Sequence, residues 1–168
     1  LRSIILTKTD NLDEIYKNGE YLSKNPYWHI EDSPWKASEI DKIIQLNYLS
    51  LKTICEVGCG AGEIIHQLSQ KNQYNSIEFS GYEISENAFE FCQRIKKNNI
   101  NFYKEDLLTV NKKFDLLLCI DVFEHVEDYL GFLKNLKKIS DYHIFHIPLD
   151  LSASSIIRGA LLHTRETV

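Results

Sequence analysis

The 168-residue chain contains no methionine, no CxxC pair and no apolar run approaching a membrane span. A helix that crosses a bilayer needs about 20 consecutive apolar residues, so no transmembrane segment is expected. The opening "LRSIILTKTDNLDEIY" lacks the apolar region and small-residue cleavage site of a signal peptide, and the expected location is cytoplasmic. Cys55, Cys59, Cys92 and Cys119 show no paired spacing. They read as small hydrophobes rather than zinc ligands or disulfide partners, and no metal site is expected. Basic charge is also short: 19 Lys and Arg stand against 24 Asp and Glu, a net charge of −5. That balance argues against a protein whose main task is gripping phosphate backbones, so the expected partners include neither nucleic acid nor membrane. The basic stretches "RIKKNN" and "KNLKKIS" read as solvated helix faces and ends. Repeats, low-complexity tracts and Pro/Gly/Ser-rich linkers are missing too. The expected organisation is a helical lid or cap over residues 1–50, followed by a ligand-binding domain over 51–168.

What is present is an alternation of strand and helix patterns. In the N-terminal segment Ser33 is placed to cap a helix with Pro34 at its first position. Trp35, Ile40, Ile43, Ile44 and Tyr48 then recur at roughly helical spacing, which predicts a face packed on the body. "TICEV", "IEFSGYEI", "INFYKEDL", "FDLLLCID" and "YHIFHIP" read as five strands. Helical patterns separate several of them: Ala61, Ile64, Ile65 and Leu68 in the first, Ala88, Cys92 and Ile95 behind a Ser85 cap in the second, and Tyr129, Phe132, Leu133, Leu136 and Ile139 in the last. The expected fold is α/β, a doubly wound and mostly parallel Rossmann-like sheet with helices on both faces.

In such sheets ligands bind beyond the carboxyl ends of the strands. The first strand runs into "ICEVGCGAGEII", where Gly58, Gly60 and Gly62 alternate with other residues. Glycine at that density loses much conformational entropy on folding, so the bare backbone must serve a turn or a close approach. A dinucleotide fingerprint, G-x-G-x-x-G, needs its third glycine at position 63, which is Glu63 here. A carboxylate at a helix start suits a pyrophosphate poorly, which speaks against a nicotinamide cofactor.

The pattern Glu56-Val57-Gly58-Cys59-Gly60-Ala61-Gly62 resembles motif I of the class I S-adenosylmethionine (SAM) dependent methyltransferases. Residues 50–150 agree with that family in order and spacing, and "WHIEDSPWKA", "GYEIS", "IDVFEHVEDYLGFL" and "HIPLDLS" together resemble a less studied branch of it. The resemblance implies that SAM is the cofactor and S-adenosylhomocysteine (SAH) the product. It implies that Glu83 takes the ribose hydroxyls with Ile84 beside it, and that Asp106 and Leu107 meet the adenine. It also implies that Asp121 and Val122 lie near the methionine part, and that Glu56 faces the ligand's ammonium. Glu56 could instead cap the loop's own amides, Glu83 could be a surface carboxylate, and Glu105 could replace Asp106. His125 and Glu124 follow the fourth strand where the methyl must leave, and His125 is a candidate general base; purely local hydrogen bonds are the alternative. Tyr27, Trp28 and His29 are candidates for the acceptor pocket, while Trp35 reads as an anchor between helix and sheet. His66 and His143 read as structural, and His146 as a weaker pocket candidate.

The expected activity is transfer of a methyl group from SAM to a small-molecule O or N nucleophile. A SAM-binding sensor without catalysis and a nicotinamide oxidoreductase are the competing classes. The family sheet normally ends in an antiparallel hairpin beside strand five, for which too few residues follow "HIPLD". A natural protein that continues beyond Val168 is therefore expected.

Overall fold

An apolar run without polar breaks, such as Leu116–Ile120, has to be covered on both of its faces. In the computed structural model of the protein, which describes residues 30–95 and 97–148, it is. Leu116, Leu118 and Ile120 join one buried cluster, and Leu117 and Cys119 join another. The run is β4 (Phe114–Ile120), in a five-stranded sheet with β1 (Thr53–Val57), β2 (Glu78–Tyr82), β3 (Ile100–Tyr103) and β5 (Ser140–His146). The order is β3-β2-β1-β4-β5, and every pairing is parallel. The chain first builds outward from β1 to β3 and then restarts on β1's other side with β4. That reversal opens a crevice at the carboxyl ends of β1 and β4, as doubly wound sheets require.

Among the described residues four α-helices cover the sheet: α1 (Ser33–Leu46), α2 (Glu63–Ser69), α3 (Glu86–Cys92) and α4 (Tyr129–Ile139). Residues of α1, α2 and α3, including Ile40, Ile44, Ile65, Leu68 and Cys92, fill the first cluster. On the opposite face α4 supplies Phe132, Leu136 and Ile139. Ser85 caps α3 as expected, accepting the Ala88 N–H at 3.5 Å.

Two expectations about α1 need correction. Its N-cap is Asp32 rather than Ser33, and no side-chain cap bond forms; Pro34 does lie in the first turn. Ser33 is buried instead. The apolar stripe is also rotated: Ala37, Ile40 and Ile44 are buried, while Trp35 is 57% exposed and Tyr48 93% exposed. The stripe read from sequence counted large apolar side chains only. The real face runs through the small Ala37, the aliphatic stem of Lys36 and Asp41, which that count omits. Burying Ile40 and Ile44 contributes about 2 kcal/mol each before entropy costs. A polar cluster adds to the docking: Asp41 Oδ1 accepts the Tyr74 hydroxyl at 2.5 Å, and Asp41 Oδ2 lies 2.9 Å from Lys71 Nζ. Those contacts fix α1 against the body, and with it the side chain of Lys36.

Candidate active site

The glycine loop is built by packing as much as by ligand approach. Gly58, Gly60 and Gly62 all have positive φ, at 61°, 54° and 77°. A Cβ on Gly62 would stand 2.5 Å from the Phe102 ring, so this glycine lets α2 close on β3. A Cβ on Gly58 would meet Val122 at 2.5 Å, which ties the loop to the segment after β4. At Gly60 the same construction meets nothing within 4 Å. Its bare backbone therefore faces open space, the property a ligand-approach glycine needs. Gly81 was missed by sequence reading; a Cβ there would fall 2.6 Å from Phe102 and 2.8 Å from the Cys59 sulfur. Its signal was a glycine inside a strand pattern, which marks a close approach.

Glu83 closes the loop from β2. Its Oε2 accepts the Gly60 N–H at 2.8 Å, and its Oε1 accepts the Ser85 N–H at 2.7 Å. The carboxylate is buried, and burial pushes its pKa up although the N–H groups of Ser85, Gly60 and Ile84 pull it down. Each oxygen keeps a lone pair, so two further hydroxyl donors can be received. Ile84, next to it, is 56% exposed and offers an apolar face at the crevice.

Glu56, at the end of β1, is 2% exposed, and its Oε2 makes no hydrogen bond. Burial chiefly, then Cys92, Glu83 and Asp121, push its pKa well above the carboxylate range, while Lys36 acts in the other direction. A buried oxygen without a donor carries a full desolvation cost of about 1–3 kcal/mol. It suits a ligand that brings a cationic donor. The Cys59 N–H is already used, donating to the Tyr82 carbonyl at 3.1 Å. The Cys59 side chain is core, 3.9 Å from the Cys92 sulfur.

Asp106 caps a single 3₁₀ turn, Leu107–Thr109, by accepting the Leu108 N–H at 2.9 Å, and is exposed beyond β3. Leu107 is buried beneath it. Glu124 and His125 lie in the 3₁₀ turn Phe123–His125, both exposed, with His125 Nε2 3.9 Å from Glu124 Oε1. That separation is beyond hydrogen-bond reach. Tyr27, Trp28 and His29 lie outside the described residues. His143 is structural, its Nε2 3.0 Å from both the Leu136 carbonyl and the Ser140 hydroxyl.

The fourth and fifth strands end in a charge network that sequence reading did not assemble. Asp121 has φ 55°, a left-handed conformation that Asp tolerates better than most residues. Its Oδ2 accepts Lys36 Nζ at 2.6 Å, and its Oδ1 lies 2.5 Å from His146 Nδ1. Burial opposes the charge on Asp121, but Lys36 and His146 outweigh it and hold its pKa below the usual range. The Trp35 and His146 rings meet nearly at right angles, with centroids 5.9 Å apart. Trp35 is 57% exposed yet touches the end of β5, a contact between helix and sheet of the kind read from the sequence.

In sheet order, then, Glu83, Glu56, Asp121 and His146 line the carboxyl ends of β2, β1, β4 and β5. The methyltransferase domain family matches residues 49–143, which span the strands that carry this row through Asp121. The chain belongs to this family of SAM-dependent enzymes. Among its curated relatives, the chain is 29% identical over 140 residues to the tRNA U34 carboxymethyltransferase of Campylobacter fetus, covering 76% of the chain and 48% of that protein. It is 27% identical over 155 residues to the protein of the same name from Campylobacter concisus, covering 82% and 53%. The chain spans about half the length of the curated relatives it matches.

The fold resembles the plantazolicin methyltransferase BpumL in complex with SAH, with a TM-score of 0.66, 20% identity, and coverage of 88% of this chain and 60% of that one. It also resembles magnesium protoporphyrin IX methyltransferase from Synechocystis PCC 6803 with bound SAH, with a TM-score of 0.62, 20% identity, and coverage of 90% and 77%. The nicotinamide reading gives way to the family. The expectation that nucleic acid has no part is overturned by the relatives' names. It rested on net charge, which averages over the whole surface and says nothing of a local contact. No helix among the described residues is long and apolar enough to cross a membrane.

Proposed function

We propose that this domain binds SAM over the carboxyl ends of β1 and β2 and directs its activated carbon to a nucleophile on a tRNA nucleoside held over β4 and β5. The observation that carries the cofactor half is the unpartnered, buried Oε2 of Glu56 beside the open backbone of Gly60. Glu56 would receive the ligand's ammonium, Glu83 the ribose hydroxyls, Ile84 one face of the adenine, and Asp106 its amino group. SAM supplies a carbon already activated by its sulfonium. The protein's part is to hold the acceptor in line with that carbon and to keep water out. The acceptor half rests on the relatives' names, since each is a tRNA U34 carboxymethyltransferase.

A small-molecule O or N acceptor is the second reading. It is favoured by the net charge of −5 and by a narrow apolar cleft between α1 and β5, lined by Trp35, Ile40, Ile43, Ile144 and Phe145. Incubation with SAM labelled on its transferable carbon, against unfractionated tRNA and against a small-molecule extract, tests both. Label in nuclease-digestible RNA supports the first reading. Label confined to the extract supports the second, and label in neither contradicts both.

A further inference from the structure

The Asp121–His146 pair lies at the carboxyl ends of β4 and β5, where the functional reading above puts the acceptor. Two independent links hold it. The Asp121 backbone N–H donates to the His146 carbonyl at 3.0 Å, continuing the β4–β5 ladder, and the side chains meet at 2.5 Å. The left-handed backbone of Asp121 turns its carboxylate between Lys36 and His146. A carboxylate at Nδ1 fixes the neutral imidazole as the Nδ1–H tautomer and leaves Nε2 as the acceptor. The His146 side chain is 35% exposed at the strand end, with Trp35 against it. An oriented imidazole whose Nε2 has no hydrogen-bond partner among the described residues, backed by a largely buried lysine on its carboxylate, has the arrangement of a general base and its orienting group.

We propose that His146 is the general base of the transfer and that Asp121 is its positioning residue, with Lys36 holding Asp121 in turn. This rests on the functional reading above and assigns to His146 the role that sequence reading offered to His125. In the step, an acceptor O–H or N–H gives its proton to His146 Nε2 while its lone pair forms the bond to the transferred carbon. The carbon–sulfur bond breaks, its electron pair stays on sulfur, and the sulfonium becomes a thioether. The imidazolium is stabilised by Asp121 and returns its proton to water.

Three measurements test this. Calorimetry with SAH on wild type and His146→Ala separates the base from the cofactor site; both proteins are expected to bind alike. Absence of binding by the wild type overturns the functional reading and the base with it. Diethyl pyrocarbonate modification, mapped by mass spectrometry, reads the base without an acceptor. His146 is expected to react in wild type, more slowly in Asp121→Asn, and more slowly with sinefungin bound, whose amine replaces the methyl. Reaction of His146 that ignores both changes overturns the proposal. With tRNA as acceptor, His146→Ala is expected to lower the transfer rate about 100-fold, with partial recovery on adding imidazole. A full rate in that variant, or a loss that imidazole does not restore, overturns it.

Discussion

The two halves of the crevice handle charge in opposite ways. At the ends of β1 and β2, Glu56 and Glu83 are buried against their charge, and one oxygen has no partner. At the ends of β4 and β5, Asp121 is paired on both oxygens, and its carboxyl is held below the ordinary range. The first half has the character of a seat that a cationic ligand completes. The second has both Asp121 oxygens paired within the protein. Stability is given up in one half for binding, while in the other it accompanies orientation.

The largest effect that sharpens this comparison lies in the loop. Gly62→Val combines a positive φ with collision on Phe102 and should cost about 3 kcal/mol in chemical denaturation. Gly60→Ala, at a similar φ but in open space, should cost only about 1 kcal/mol while weakening SAH binding in calorimetry. Equal stability losses would show that Gly60 serves packing rather than a ligand.

Next comes the paired half. Asp121→Ala leaves Lys36 buried without its partner and should destabilise by about 2 kcal/mol, less than a fully buried pair because Asp121 is a third exposed. Lys36→Met/Asp121→Leu together should recover part of that loss. A double variant no better than Asp121→Ala would remove the ion pair from the account.

The pH dependences should run in opposite directions. Glu56 binds its proton more tightly when folded, so above the ordinary carboxylate range the unfolded chain releases the proton first. Stability then falls as pH rises. Asp121 is the reverse: it stabilises above the ordinary range, and that contribution is lost as pH falls toward its lowered folded value. Glu56→Gln should therefore raise the melting temperature at pH 8, change it little at pH 5, and weaken SAM binding about tenfold. A variant that melts lower than wild type at pH 8 would contradict the claim that this carboxylate is held at a cost. The smallest effect belongs to a pair outside both halves. Removing Lys42, 2.6 Å from Glu39 on the exposed face of α1, should change stability by under about 0.5 kcal/mol.

Much of this arrangement was legible in the chain. The five strands and their alternation with helices followed from apolar runs bounded by helix patterns, and the glycine spacing with Glu56 and Glu83 pointed to the cofactor half, because those residues lie close together or at strand ends that sequence marks. The paired half was not legible in the same way. Lys36, Asp121 and His146 come from positions 85 and 25 residues apart, and only the β4-to-β5 crossover and the docking of α1 bring them together. His125 drew attention through its short acidic motif, whereas His146 sat inside a strand pattern. The face of α1 was misread for a related reason: Lys36 and Asp41 are polar in composition but buried by pairing.

The central claim is that the buried acids at the ends of β1 and β2 seat an adenosyl ligand. Calorimetric titration of wild type and Glu83→Ala with SAM, SAH and NAD in parallel tests it most directly. The account predicts binding of both adenosyl sulfur ligands, no binding of NAD, and affinity about tenfold or more weaker in the variant. NAD binding as tightly as SAM, or a folded Glu83→Ala with undiminished affinity, would contradict it.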